Sequence, residues 1–202
     1  PPAVMHDDKD IKRDSYYRLS IEDFTEVCEG LNVRGAHFVG AYAEPLLNKD
    51  IFKLLSLAKS KGAITAITTN ATALVPQFAD KLLDTGIDTM TVSLHGATKA
   101  TAESIMRKAD FDRVIRNILH LQQRKKDRGL TKPVLLFNFV SQLANVHEIP
   151  DFVSLAADLG VSYTNIIHLI DGGLDDKSTN LIHHQHLIGP AIVEAKRRAK
   201  AL

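Results

Sequence analysis

Polar side chains able to do chemistry recur in this sequence at one kind of place, just past the end of a short apolar run. Gly40-Ala41-Tyr42-Ala43-Glu44-Pro45 puts a carboxylate on a turn fixed by proline, placed to hold an amine or ribose of a ligand or to serve as a plain surface turn. Thr68-Thr69-Asn70-Ala71 and Ser93-Leu94-His95-Gly96 offer amide and hydroxyl groups that can donate to a carboxylate or hydroxyl, and that equally cap helices and make turns. His168 sits in Ile166-Ile167-His168-Leu169, as a hydrogen-bonded core histidine or as a residue lining a ligand pocket. The recurrence of such groups at equivalent places says more than any one of them.

Several other chemistries lack their signatures. Ser93 lies between Val92 and Leu94 rather than in a Gly-x-Ser-x-Gly elbow, so Ser93, His95 and Glu44 do not make a hydrolase triad. Neither a Gly-x-Gly-x-x-Gly loop nor a Gly-Lys-Ser phosphate loop is present. His183 and His186 are three apart at a helix start, but no third ligand is identifiable and the histidines read as a solvated cluster. No lysine stands at a strand end to form a Schiff base, which weighs against an aldolase, the further alternative for a barrel. Net charge is +1, from 25 basic and 24 acidic side chains, so no overall field gathers nucleic acid. The run Lys196-Arg197-Arg198-Ala199-Lys200 reads as an exposed helix end. No stretch approaches the ~20 apolar residues that span a bilayer, and the first residues lack a signal-peptide layout. A cytoplasmic protein acting on neither membranes nor nucleic acid is expected. Cys28 is the only cysteine and is expected as a buried structural thiol in a helix.

The elements that must position these groups alternate. Ser20 with Asp23 resembles a capping box opening a helix to about Leu31. Five apolar runs read as strands: Ala36 to Tyr42, Ile64 to Thr69, Thr89 to Leu94, Val134 to Val140 and Tyr163 to Leu169. Helical patterns fall between and after them, at Asp50 to Lys61, Pro76 to Leu83, Phe111 to Arg128, Ile149 to Leu159 and His183 to Ala201. Thr98 to Asp110 reads as an elaborated loop. Strand centres 25 to 45 residues apart suit parallel strands joined by crossover helices, with both sheet faces apolar and covered. Periodicity leaves open whether this α/β sheet is flat or curved into a barrel. Either way, the strand carboxyl ends are the functional edge.

The ordered strand-end segments resemble the radical S-adenosylmethionine (radical SAM) family, especially its branch with a C-terminal auxiliary-cluster, SPASM-type domain. Gly40 to Pro45, followed by Leu46, Leu47 and Asn48, is similar to that family's Gly-Gly-Glu-Pro segment, Thr69-Asn70-Ala71 to its Thr-Asn-Gly, and Ser93-Leu94-His95-Gly96 to its Ser-Leu-Asp-Gly or Ser-Leu-His-Gly. Arg107 occupies the place of an arginine that often closes the third loop, and Asn145 to Pro150 is similar to a frequent Asn-x-x-Glu-Leu-Pro phrase. The resemblance runs from about Ser20 to Ala201 and implies a partial TIM-like barrel. It implies S-adenosylmethionine as cofactor, with the Gly40, Tyr42 and Glu44 segment at the methionyl amino group, Ser93 and Arg107 at ribose or carboxylate, Asn70 in support and His168 bordering adenine. It also implies a 4Fe-4S cluster, an electron donor such as a flavodoxin or ferredoxin, and a 5′-deoxyadenosyl radical that modifies a peptide or small molecule.

The departures shape what the chain is expected to be. The family's Cys-x-x-x-Cys-x-x-Cys motif and first barrel strand are not in these 202 residues. Residues 1–202 are therefore expected to be one core domain, incomplete at the N-terminus, with truncation at the C-terminus a further expectation, inactive alone, with the cluster ligands upstream of Pro1. A non-catalytic remnant or scaffold is the alternative. Ala43 and Ala71 stand where glycine is usual.

Overall fold

The computed structural model describes residues 18–40, 43–106, 109–169 and 179–202. Helix α1 (Ile21–Gly30) opens with the expected capping box, since Ser20 Oγ accepts from the Asp23 N–H at 3.1 Å and the Asp23 carboxylate accepts from the Ser20 N–H at 3.4 Å. Then follow β1 (Gly35–Phe38), α2 (Ile51–Ser60), β2 (Ile64–Thr69), α3 (Pro76–Asp84) and β3 (Thr89–Ser93). After these come α4 (Lys99–Ile105), α5 (Phe111–Asp127), β4 (Val134–Ser141), α6 (Ile149–Asp158), β5 (Tyr163–His168) and α7 (Gln185–Ala199). The loop expected from Thr98 to Asp110 contains α4, capped by the Thr98 side chain.

All five strands are parallel and lie in sequence order, β1-β2-β3-β4-β5. That order settles what periodicity left open. Right-handed crossovers between successive neighbours, with no reversal of direction, put every connecting helix on the same side of the sheet. A doubly wound sheet reverses its order to cover both faces, whereas a barrel winds one way and keeps its helices outside. The fold is a partial TIM-like barrel.

Strand register shows the two faces directly. Phe38, Ile67, Met90 and Leu135 form one row, and Thr69, Val92 and Phe137 another, all buried on the helix side. Phe24 of α1 meets Phe38 edge-on, and Phe152 of α6 packs on Phe137 and Phe139. The other face carries His37, Ala66, Thr68, Thr91, Ser93, Leu136, Asn138, Tyr163 and Asn165 by strand alternation, half-buried or exposed. The sequence expectation of two covered apolar faces is therefore corrected: the polar residues of this face were hidden among β-branched and aromatic neighbours. The first strand also ends at Phe38, short of the expected Tyr42, and Val39 is exposed. Cys28 is buried in the core as expected.

The amino-end rim of the barrel is tied together by Asp88. Its carboxylate accepts from the Thr65 N–H at 2.9 Å and Thr65 Oγ1 at 3.1 Å, and pairs with Lys59 and Lys132 at 2.6 Å each. One side chain thus joins α2, β2, β3 and the entry to β4. Burial by itself would raise the Asp88 carboxyl, but the bonds from Lys132, Lys59 and Thr65 prevail and hold it far below the usual carboxylate range. Because the native value is depressed, this stabilisation is complete above the unfolded value of about 4 and is lost as pH falls through the native one. Asp88→Asn is expected to cost about 2–3 kcal/mol in urea unfolding at pH 7. It should also flatten the loss of stability between about pH 4 and pH 2. An unchanged acid limb would show that Asp88 does not drive it.

Candidate functional site

The carboxyl-end loops of β1 and β2 are built as one unit. After Phe38 the chain turns so sharply that a Cβ on Gly40 would lie 2.0 Å from the Ala43 carbonyl oxygen, so only glycine fits. Glu44 then caps a 3-10 turn at Pro45–Leu47. Its Oε1 accepts from the Leu46 N–H at 3.0 Å and from Thr69 Oγ1 at 2.5 Å, and its Oε2 accepts from the Asn70 N–H at 2.8 Å. Three of the roughly four acceptor positions of the carboxylate are thereby used within the protein. Glu44 is first a staple between neighbouring loops, with one Oε2 lone pair left over.

Asn70 turns the second loop by accepting the Thr72 N–H on its Oδ1 at 2.9 Å, which leaves its amide NH2 available. Ala71 follows in the left-handed region at φ 57°, which accounts for glycine being the usual residue in the resembling motif. Asn117 of α5 secures the loop by donating to the Ala71 carbonyl at 2.8 Å.

Ser93 is the last residue of β3 and lies on the open face, with no hydrogen bond to another described residue. Beyond it the chain turns inward. His95 is buried, and its Nδ1 accepts from the Val140 N–H at 3.2 Å, which requires a neutral ring protonated on Nε2. Burial lowers its pKa to about 4. Asn145, fully buried, donates to the carbonyls of His95 and Val140 and accepts the Gln142 N–H. Glu148 takes the N–H groups of Ala97 and Thr98 and the hydroxyls of Thr98 and Thr101. Burial would raise that carboxyl, but the Thr101 and Thr98 hydroxyls and the two N–H groups outweigh it and hold it below its ordinary value. Gly96 fits because a Cβ there would meet the Ala102 nitrogen at 2.6 Å.

Gly40, Glu44 and Asn70 therefore come together, and Ser93 stands one strand away on the same rim. His168 is exposed, so it is not a core histidine, and alternation puts it on the face opposite Ser93, with Ile166. Tyr42 and Arg107 lie outside the described residues. Asn145 and Glu148 were visible in sequence only as part of a phrase. Their work is to hold the Ser93–Gly96 loop. Asn138 and Asn165 were missed, although a lone amide inside each of two apolar strands is a usable signal. Among the described residues no group of three or more His, Cys, Asp or Glu side chains could hold a metal, and none of the helices is long and apolar enough to cross a membrane.

Residues 5–156 match the model of the Radical SAM superfamily. The chain belongs to that superfamily. This radical SAM chain is 32% identical over 161 residues to a probable GTP 3',8-cyclase of Saccharolobus islandicus, across 78% of the chain and 50% of the relative. It is 28% identical over 137 residues to the Fe-coproporphyrin III synthase of Methanosarcina barkeri, across 68% of the chain and 33% of that protein. The chain thus spans half or less of the length of these relatives. Among solved structures, SuiB of Streptococcus suis bound to S-adenosylmethionine superimposes with a TM-score of 0.62 at 18% identity, covering 80% of this chain and 35% of SuiB. Methylornithine synthase gives 0.56 at 12% identity, covering 91% and 61%. These two likenesses show the shared barrel fold.

Two comparisons check the loop geometry. Gly40→Ala should cost about 1–3 kcal/mol, because backbone rather than a movable side chain stands in the way. Ala71→Gly should change stability by less than about 1 kcal/mol, since relief of the left-handed conformation offsets a lost buried methyl. Urea unfolding of both variants reads the contrast. For His95, whose native value is lowered, neutral-ring stabilisation is complete above about pH 6.5 and fades as pH falls toward 4. NMR should find the Nε2–H tautomer at pH 7. A charged ring at that pH would contradict the Val140 bond.

Proposed function

We propose that this chain is the core domain of an enzyme that binds S-adenosylmethionine and begins radical chemistry on a peptide or small molecule. The observation carrying the reading is the single rim on which the Gly40–Glu44 turn, Asn70 and Ser93 meet in a superfamily chain. Relatives span both substrate types by name, since one is a probable GTP 3',8-cyclase and SuiB is known bound to a precursor peptide. With one electron from a reduced 4Fe-4S cluster, bound S-adenosylmethionine would supply methionine and a 5′-deoxyadenosyl radical able to take hydrogen from substrate.

The residues present suit S-adenosylmethionine. Ser93 Oγ and the Asn70 NH2 keep free donors for its ribose or carboxylate, the spare Glu44 Oε2 lone pair can take an ammonium proton, and Tyr42 and Arg107 are proposed at its periphery, whereas His168, on the opposite face, is not. They do not suit the cluster. Three thiolates are needed, and Cys28, the only cysteine, is buried in α1. Its ligands are proposed to lie in polypeptide outside these residues, with residues 1–202 as one core domain, an auxiliary-cluster domain beyond, and a flavodoxin or ferredoxin as electron donor in the cytoplasm.

The test starts with the gene. Cysteines spaced Cys-x-x-x-Cys-x-x-Cys just upstream of the Pro1 codon support the enzyme, and a reading frame beginning without them supports the remnant. With them present, anaerobic reconstitution should give a brown protein that cleaves S-adenosylmethionine. Ser93→Ala should weaken cofactor binding about 3- to 10-fold by calorimetry, with an unaltered melting temperature. Equal affinity would remove Ser93 from the site.

A further inference from the structure

Asn138 and Asn165 are register partners in the middle of β4 and β5, and Asn165 Nδ2 donates to Asn138 Oδ1 at 2.9 Å. Both lie on the open face, Asn138 half-buried and Asn165 exposed, and Ser93 is the next residue along the same row. Asparagine is disfavoured inside strands, and nothing in the sheet needs these two amides. No other described residue bonds either side chain. The Asn138 NH2 and the Asn165 carbonyl oxygen are left side by side. Exchanging O and N in both amides still leaves one NH2 and one carbonyl, so the pattern does not depend on their assignment. Around this pair, on the same face, stand Leu136 and Val140 of β4 and Tyr163 and Ile167 of β5, the last two 59% and 41% exposed.

A donor beside an acceptor within an apolar and aromatic frame calls for a flat ligand with an acceptor beside a donor on one edge. A main-chain peptide group does not qualify, because its trans geometry points the N–H and C=O in opposite directions. A lactam in a ring is locked cis and offers both on one edge, and its flat faces suit the side chains around the pair. We propose that the Asn138–Asn165 pair binds the lactam edge of a planar heterocycle, such as a nucleobase, on the substrate. This deepens the reading above and rests on it. Asn138 stands beside Ser93 in register and Asn165 one strand farther from the Glu44–Asn70 loops, so the pair flanks a cofactor held by those loops and faces a substrate placed next to it.

The experiment is equilibrium binding to the full-length, cluster-loaded protein without reductant, with and without S-adenosylmethionine. The probes are guanosine, inosine and uridine triphosphates and their counterparts methylated at the lactam nitrogen (1-methylguanosine, 1-methylinosine and 3-methyluridine triphosphates). At least one lactam should bind, with its methylated counterpart weaker by about 10-fold or more. Asn138→Ala and Asn165→Ala should each weaken that lactam to a similar degree while leaving S-adenosylmethionine affinity unchanged. The proposal is overturned if no lactam binds, if methylation has no effect, or if both variants bind the lactam normally. It is overturned too if the variants lose S-adenosylmethionine instead, which would give the pair to the cofactor's adenine, or if a linear peptide competes for the site. Should a variant fail to fold, the methylation comparison on the unaltered protein still decides. Failure of that protein to bind S-adenosylmethionine strikes the parent reading, whereas the lactam comparison without cofactor reads the pair alone.

Discussion

Handedness is the constraint from which the rest follows. Each strand is joined to a parallel neighbour by a crossover that winds one way, and the order never reverses. Helices must then crowd onto one face, where Phe38, Ile67, Met90 and Phe137 give them an apolar surface to cover. The opposite face is freed from packing duty and can carry hydroxyls and amides at little cost. All the strand-to-helix loops emerge on one rim for the same reason, so groups far apart in sequence become neighbours without any contact dedicated to gathering them.

Loops on such a rim expose backbone N–H and C=O groups that have no ladder to join. Here side chains answer for them. Glu44 takes the N–H groups of Leu46 and Asn70, Asn145 bridges His95, Val140 and Gln142, and Glu148 takes Ala97 and Thr98. Each of these three reaches between segments that are distant in sequence, so the loops hold one another. The result is a rim stiff enough to present Ser93 and Asn70 with free donors, because the neighbouring polar groups are already engaged.

Much of this was legible in the residues. The strands at Ile64–Thr69 and Thr89–Ser93 and the helix between them follow from apolar periodicity, and the Ser20–Asp23 box marks a helix start correctly. Strand-end placement of Glu44, Asn70 and Ser93 follows from where the apolar runs stop. What did not follow concerns direction. Whether His168 faces the rim pocket or the helices depends on a parity fixed by its register with Ser141 across a strand boundary, and no residue of β5 announces it. The role of Glu44 was likewise concealed, since a carboxylate on a turn looks the same in sequence whether it meets a ligand or the backbone of the next loop. Asn138 went unseen because the apolar residues around it made the strand look buried on both sides.

The tie at Asp88 lies at the far end of the same strands. Four segments are held there through one carboxylate and two lysines, remote from every group on the carboxyl-end rim. This tie and the proposed site thus occupy opposite ends of the barrel. Loops at the carboxyl end can then vary in sequence while the other end continues to hold the strands in register. Room for such variation is a property of the architecture.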